Sequence, residues 1–171
     1  MNKVSRFLFI IVLIVLLGLL PACVSTRTYE STDDYLRTDV PVTYSEHAIF
    51  PDKEMLADTK VELYRSESQS TLLFDDIYFL LKCTYSQESF QQEIKRIEEL
   101  GAEYEETHFL YPAYVMLFHF DRYYEYALVD IESCSIVYVS AEVSNWKTFS
   151  DIPSEYLPVT QEDLDICVYK Y

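Results

Sequence analysis

Residues 77–101, IYFLLKCTYSQESFQQEIKRIEELG, carry a strand pattern followed directly by a helix pattern. In the first half every second residue is apolar, which predicts a strand with one buried face. These residues are Ile77, Phe79, Leu81, Cys83 and Tyr85. In the second half the apolar residues recur at helical spacing. They are Phe90, Ile94, Ile97 and Leu100. Neither stripe can stay in water without a large apolar patch, so we expect the helix to pack on the strand.

The ends of this helix are marked by local signals. Ser86 suits the N-cap, and Tyr85 before it can pack on Phe90 inside the first turn. Gly101 follows Leu100 as a C-terminal stop. On the water-facing side we expect two kinds of charged pair: Glu93 with Arg96, and Lys95 with Glu98 or Glu99.

The rest of the chain reads mainly as strands. Residues 114–120, 123–131 and 136–143 alternate in 8–12-residue units separated by short turns, which predicts an antiparallel meander. Weaker strand signals occur at 61–65, 109–111 and 166–169, and a weak helix signal at 53–57. The order predicts one α+β domain with one helix packed on a mostly antiparallel, Tyr-rich β-sheet.

Sixteen tyrosines make this sheet unusual. Strand alternation places Tyr124 and Tyr126 on one face and Tyr123 on the other. Tyrosine covers half-buried sheets and also serves binding surfaces. We favour sheet packing over a ligand platform. The tyrosines of the strand region are Tyr104, Tyr111, Tyr114, Tyr123, Tyr124, Tyr126 and Tyr138.

The amino terminus has the pattern of an export signal. Lys3 and Arg6 make a positive start, and residues 7–20 contain no charged or hydrogen-bonding side chain. A positive start and an apolar run of about 7–15 residues before a small residue are typical of a secretory signal. An uncleaved anchor is the alternative, although a spanning helix needs about 20 apolar residues.

The tetrad Leu20-Pro21-Ala22-Cys23 that follows resembles the lipobox of bacterial lipoproteins. Leu20, Ala22 and Cys23 match that pattern, and Pro21 departs from the usual middle residue. The resemblance implies that a peptidase cuts after Ala22 and that Cys23 carries a diacylglyceryl group as the new N-terminus. It also implies attachment to the outer face of the membrane, where two acyl chains hold a protein stably. The alternative is an ordinary secretory signal with a chance cysteine.

The sequence divides into three parts on this interpretation. Residues 1–22 are the signal peptide, 23–46 are the lipidated cysteine with a flexible polar tether, and 47–171 form a single globular domain. Residues 90–100 and the hairpin 126–139 also resemble, weakly, small uncharacterised Gram-positive lipoproteins, a resemblance that implies no activity.

The charge of the chain excludes one class of partner. Loss of residues 1–22 removes two of 13 basic residues and none of 29 acidic ones, so the formal charge changes from −16 to −18. Nucleic-acid binding needs a basic surface, which this chain lacks. The membrane is expected to be contacted through the lipid on Cys23, and a protein or envelope ligand is possible.

Candidate catalytic residues do not form a recognisable motif. His47, His108 and His119 are the only histidines, and two-residue spacing pairs Glu106 with His108 and His119 with Asp121. Zinc sites use three or four ligands, so we predict no metal and no cofactor. With 29 acidic residues, adjacent acids arise by composition, and two that are neighbours on a strand point to opposite faces; the pairs are Asp33-Asp34, Asp75-Asp76, Glu98-Glu99 and Glu105-Glu106.

Three cysteines besides Cys23 leave at least one thiol unpaired: Cys83, Cys134 and Cys167. Export permits one disulfide among them, with three possible pairings. Cys83 is expected in the core on the helix-facing side.

Taken with the lipobox-like tetrad and the lack of a catalytic motif, the sequence favours a non-enzymatic binding or envelope-associated lipoprotein. The alternative is a small envelope hydrolase that uses carboxylates or a free cysteine.

Overall fold

A computed structural model describes residues 25–29, 49–51, 53–56, 59–70, 75–117, 123–142 and 152–158. These residues form one seven-stranded sheet and one α-helix. The elements are β1 (Ser25–Tyr29), β2 (Lys60–Ser70), β3 (Asp75–Thr84), α1 (Gln87–Glu99), β4 (Glu103–Glu105), β5 (Ala113–Leu117), β6 (Tyr123–Asp130) and β7 (Ser135–Glu142). Short 3-10 turns span Lys53–Leu56 and Ser154–Tyr156. The predicted α+β class is confirmed.

The strand order across the sheet is β1-β2-β3-β7-β6-β5-β4, and every neighbouring pair is antiparallel. β5, β6 and β7 form the predicted meander, and β4 adds one further strand at its edge. The meander returns the chain toward the sheet centre, where β7 pairs with β3 along its length, from Ile77 opposite Glu142 to Thr84 opposite Ser135. This pairing joins the two halves of the sheet.

The helix covers one face of the sheet as predicted. Phe90 and Ile97 are buried against β3, and Ile94 and Leu100 pack partly buried against the same cluster. Ser86 caps α1, because its Oγ accepts a hydrogen bond from the backbone N–H of Ser89 at 3.2 Å. The backbone N–H groups of Gly101 and Ala102 bond to the carbonyls of Glu98 and Ile97, which closes the helix C-terminus. Gly101 permits this with a φ of +86°.

The prediction for Glu93 is wrong in one respect. Glu93 does pair with Arg96, and Lys95 pairs with Glu99 on the exposed side at 3.4 Å. However, Glu93 is only 2% exposed and faces the sheet. Its position three residues after Phe90 places it on the apolar stripe, where tertiary partners rather than water satisfy the carboxylate.

The opposite face of the sheet is also buried, which the sequence analysis did not predict. Tyr78, Leu80 and Tyr126 belong to a second apolar cluster on this face. Phe109 and Ile152 cover it from two loops. Both faces of the central strands are therefore buried, which explains the uninterrupted apolar runs 126–129 in β6 and 136–139 in β7.

Some predicted boundaries differ from the structure. Residues 109–111 form bends, and the strand is Glu103–Glu105 instead, because Phe109 turns into the second cluster and Pro112 has no N–H to donate. Ser25–Tyr29, assigned to the tether, is strand β1 and pairs with β2. Residues 30–46, 118–122, 143 and 166–169 lie outside the described residues, so the predictions for them stay predictions. Within the described part of the chain, no helix is both long and apolar enough to span a bilayer.

Candidate functional site

A small pocket opens on the sheet face opposite α1. Its volume is about 50 Å³, and its residues come from three central strands and two loops. The lining residues are Lys82, Tyr111, Leu128, Asp130, Ser135, Val137 and Tyr156. A water molecule needs about 10–15 Å³ on this measure, so the pocket holds a few waters or one polar substituent of a larger molecule.

The strand register builds the floor of this pocket. Lys82 on β3 lies opposite Val137 on β7, which lies opposite Leu128 on β6. Two residues further along these strands, on the same face, Ser135 lies opposite Asp130. The floor therefore combines two apolar side chains with one cation, one carboxylate and one hydroxyl.

Two loops supply the walls. Tyr111 precedes Pro112, whose carbonyl accepts a hydrogen bond from the N–H of Val129 at 2.8 Å. This bond holds the loop against β6. Tyr156 ends the Ser154–Tyr156 turn, and its carbonyl accepts a hydrogen bond from the hydroxyl of the fully buried Tyr126 at 2.8 Å. Both walls are thus tied to the sheet.

Among the described residues that line the pocket, Lys82 is the only cation. Its Nζ lies 3.2 Å from Glu62 Oε2, and Glu62 also pairs with Lys60 at 2.9 Å. Burial pulls the pKa of Lys82 down, but the hydrogen bond to Glu62 and the nearby hydroxyls of Tyr156 and Tyr111 outweigh it and raise that pKa. Lys82 is therefore a charged hydrogen-bond donor at neutral pH and has no character of a general base.

Asp130 is held by its own turn. Its Oδ1 accepts hydrogen bonds from the N–H groups of Glu132 and Ser133 at 3.0 and 3.3 Å, and its Oδ2 accepts one from the Ser133 hydroxyl at 2.7 Å. The Ser133 hydroxyl and then these N–H groups lower the pKa of Asp130, against the effect of burial. Asp130 therefore stays ionised and adds a negative charge to the pocket.

A second polar cluster lies between α1 and the sheet. Arg96 binds Glu93 through two bonds, Nε to Oε2 at 2.9 Å and Nη2 to Oε1 at 2.6 Å. The Tyr138 hydroxyl donates to Glu93 Oε1 at 2.6 Å, and the Tyr85 hydroxyl lies 2.7 Å from that of Tyr138. Burial first of all raises the pKa of Tyr138 and of Tyr85, so both stay protonated.

This buried cluster also holds the backbone of Ile49 by hydrogen bonds. Arg96 Nη2 donates to the Ile49 carbonyl, and the Ile49 N–H donates to the carboxylate of Glu125, which is 5% exposed. Phe50 packs on the Tyr138 ring at 5.7 Å between centroids. The side chains satisfy one another and the Ile49 backbone, which is the arrangement of a structural network.

The histidines and paired acids predicted from sequence do not form a site within the described residues. His108 Nδ1 lies 3.1 Å from Glu105 rather than from Glu106, whose Oε1 accepts a bond from the Tyr104 hydroxyl. Glu98 accepts a bond from the Tyr114 hydroxyl at 2.9 Å. No group of three metal-ligating side chains occurs in this part of the chain. His47, His119, Asp121 and Asp33-Asp34 lie outside it.

The two described cysteines differ in burial, and Cys83 lies in the core as its strand pattern predicts. Cys83 is fully buried in the helix-facing core, and burial raises its pKa to about 12. Cys134 lies partly exposed in the turn after β6, at a φ of 50°. Neither forms a disulfide, and Cys167 lies outside the described residues. A thiol with so high a pKa is a poor nucleophile, which argues against a role for Cys83 in catalysis.

Cys23 and Ala22, the predicted lipid-attachment and cleavage residues, also lie outside the described residues, and the processing prediction stays open. Comparison with protein-family models, with curated proteins and with solved structures finds no match for this chain.

The pocket residues were not identified from sequence. One signal was available, since Lys82 is the only charge within the apolar run 77–83 of β3. Tyr111 and Tyr156 come from loops 45 residues apart in the chain, and only the tertiary fold brings them to Lys82.

Proposed function

We propose that this chain is an extracytoplasmic lipoprotein, anchored to the outer face of the membrane through lipid on Cys23. We further propose that its domain is a non-enzymatic module that binds an envelope component or protein at the Lys82 pocket. The lipobox-like tetrad supports the anchor. The binding role rests on the pocket, where a charged donor and two tyrosines surround an apolar floor.

One observation carries the binding role. Among the described residues, the hydroxyls of Tyr111 and Tyr156 make no hydrogen bond to the protein, although both line the pocket beside Lys82. Groups that already satisfy one another, as around Glu93, have no capacity for a guest. The pocket hydroxyls retain theirs, which favours recognition of a molecule from outside.

The hydrolase alternative has less support in the described residues. Cys83 is buried with a raised pKa, and the adjacent acids Glu98 and Glu99 bind a tyrosine and a lysine on the helix surface. Lys82 is charged, so it cannot activate the Ser135 hydroxyl as a base.

Photo-crosslinking in cells tests the binding role. A photoreactive amino acid at Leu110, which is 67% exposed next to Tyr111, should give an adduct in the full-length protein. The same probe at Glu99, whose side chain is 68% exposed on α1, is the matched control. Lys82→Met should reduce the Leu110 adduct about two- to ten-fold, because it removes one hydrogen bond to the bound molecule. An adduct pattern that is equal at the two positions and insensitive to Lys82→Met would contradict binding at this pocket.

The anchor is tested separately by intact-mass analysis of the membrane fraction. We expect loss of residues 1–22 and a gain of lipid mass, and Cys23→Ala should leave the precursor unprocessed. Normal processing and anchoring of the Cys23→Ala variant would overturn the lipoprotein assignment.

A further inference from the structure

We propose that the Lys82 pocket selects an uncharged, hydroxyl-bearing group of the kind that a neutral glycan presents, and that it discriminates against anions. This inference rests on the proposed binding function and specifies its ligand. The pocket offers donors, acceptors and an apolar floor together, but it has no excess of positive charge.

The local charge balance disfavours an anion. Lys82 is already paired with Glu62 at 3.2 Å, and Asp130 on the floor remains ionised. Lys60 also pairs with Glu62, at 2.9 Å, so these four groups carry two positive and two negative charges and no excess of either. A carboxylate or phosphate guest would gain a lysine that is already paired and would face the ionised Asp130. Phosphate sites, in contrast, use arginine forks or several cations, and the described lining residues include no arginine.

The net charge of the whole chain also disfavours an anionic guest. Its formal charge is −16, and every anion that approaches crosses this field before it reaches Lys82. A neutral guest is not repelled by this field. Glu62 is exposed and shared with Lys60, so it competes for Lys82 without removing all of its donor capacity.

The hydrogen-bonding groups match a hydroxyl-bearing guest. A sugar hydroxyl both donates and accepts, and so do the hydroxyls of Tyr111 and Tyr156. Lys82 donates only, and Asp130 accepts only. A guest with acceptors alone would meet only repulsion at the Asp130 carboxylate, which already accepts three hydrogen bonds from its own turn, whereas a hydroxyl can donate to Asp130 or accept from Lys82.

The size and rim of the pocket fit one substituent of a larger, partly apolar molecule. A volume of about 50 Å³ admits a hydroxymethyl or acetamido group but not a whole ring. The ring would lie outside the pocket, where two exposed apolar residues are chain neighbours of the lining residues. Leu110 precedes Tyr111 and is 67% exposed, and Ile131 follows Asp130 and is 65% exposed. Leu128 and Val137 make the floor below apolar.

Three monosaccharides with the same ring and different charge test the inference. They are N-acetylglucosamine (neutral), glucuronate (anionic) and glucosamine (cationic). Saturation-transfer NMR would measure their binding to the lipidated mature chain in detergent, at sugar concentrations up to about 10 mM. We expect N-acetylglucosamine to bind, and glucuronate to bind about five-fold or more weakly, which is the ratio that one uncompensated charge repulsion produces.

Pocket variants locate the signal. Lys82→Met and Tyr156→Phe should each weaken N-acetylglucosamine binding by about two- to ten-fold, because each removes a hydrogen bond to the guest. Tyr104→Phe is the control: Tyr104 is 50% exposed on β4, at the sheet edge, and its hydroxyl binds Glu106. This variant should leave binding unchanged.

Each other outcome overturns the ligand class. Tighter binding of glucuronate that disappears in Lys82→Met would identify an anion site. Tighter binding of glucosamine would mean that the negative charge of Asp130 controls which guest is selected. Absence of binding by all three sugars, or binding that the pocket variants do not affect, would reject a glycan guest. The Leu110 crosslinking experiment judges the binding function independently, so an adduct that depends on Lys82 would preserve that function when the sugars fail.

Discussion

The two faces of the sheet place charged side chains in opposite situations. On the helix-facing side, Glu93 is sealed by Arg96 and Tyr138, and the cluster also binds the Ile49 backbone. On the other side, Lys82 lies in an open pocket whose two tyrosine hydroxyls retain hydrogen-bonding capacity. A buried charge needs every partner to be supplied by the fold, whereas a charge at an opening can share its partners with a guest.

This difference explains the two uses of tyrosine in the sheet. Tyr138 and Tyr114 donate from the sheet to carboxylates of α1, Glu93 and Glu98. Their rings fill the core while their hydroxyls anchor the helix. Tyr111 and Tyr156 have the same chemistry, but at the surface they border a cavity. Position in the fold, not residue type, separates the structural tyrosines from the candidate binding ones.

The largest expected effect is at Glu93. Glu93→Ala leaves the Arg96 guanidinium and the Tyr138 hydroxyl without their shared acceptor, and we expect a loss of about 3 kcal/mol in the free energy of unfolding. Urea denaturation would measure it. Glu99→Ala, which removes an exposed partner of Lys95, should cost less than about 0.5 kcal/mol. Equal costs for the two variants would mean that the buried cluster is not stabilising.

Large-to-small substitutions compare the two apolar layers. Ile97 is fully buried under the helix, and Leu128 is 2% exposed on the other face. Ile97→Ala and Leu128→Ala should each cost about 2–5 kcal/mol, because both layers are closed. Ile94→Ala should lie at the lower end of that range, since Ile94 is only partly buried. A cost below about 1 kcal/mol at Leu128 would show that the loops cover this face loosely.

The Cys83 thiol gives a pH-dependent test of the helix-facing layer. Burial raises its pKa to about 12, against 9.0 for an exposed thiol. The folded state therefore keeps the thiol protonated while the unfolded chain ionises, so stability is retained below about pH 9 and falls as the pH rises from 9 toward 12. Urea denaturation of Cys83→Ser beside the unmodified protein would isolate this contribution.

Thiol labelling checks the same assignment without denaturant titration. At pH 8, Cys134 should react in the native protein because it is partly exposed, and Cys83 should react only after denaturation. Fast native labelling of Cys83, located by peptide mass mapping, would contradict its buried position and restore the reactive-cysteine hypothesis.

A small effect on stability is expected at Lys82, in contrast to Glu93. Its pair with Glu62 is partly solvent-exposed, at 32% and 31% of the two side chains, so Lys82→Met should change the free energy of unfolding by less than about 1 kcal/mol. The same variant should weaken binding at the pocket. A large loss of stability would place Lys82 with the structural charges of the other face, and the comparison between the two faces would no longer hold.

The local patterns of residues 77–101 predicted their own structure well. The alternation in β3, the stripe of α1, the Ser86 cap and the Gly101 stop all depend on neighbours within a few residues, and each is confirmed. The prediction for Glu93 was wrong because pairing at i and i+3 says nothing of which side of the helix is covered. The tertiary hydrogen bond that stabilises the buried carboxylate comes from Tyr138, 45 residues later in the chain.

The sequence by itself determined the α+β class, the helix and the order of the meander, because alternation, helical spacing and capping are short-range properties of the chain. Tertiary structure alone decided the pairing of β3 with β7, the burial of the second face and the candidate pocket. Lys82, Tyr111 and Tyr156 meet only when three strands and two loops are in place. A binding site assembled from distant segments leaves no local pattern, since its residues are selected by their position in space.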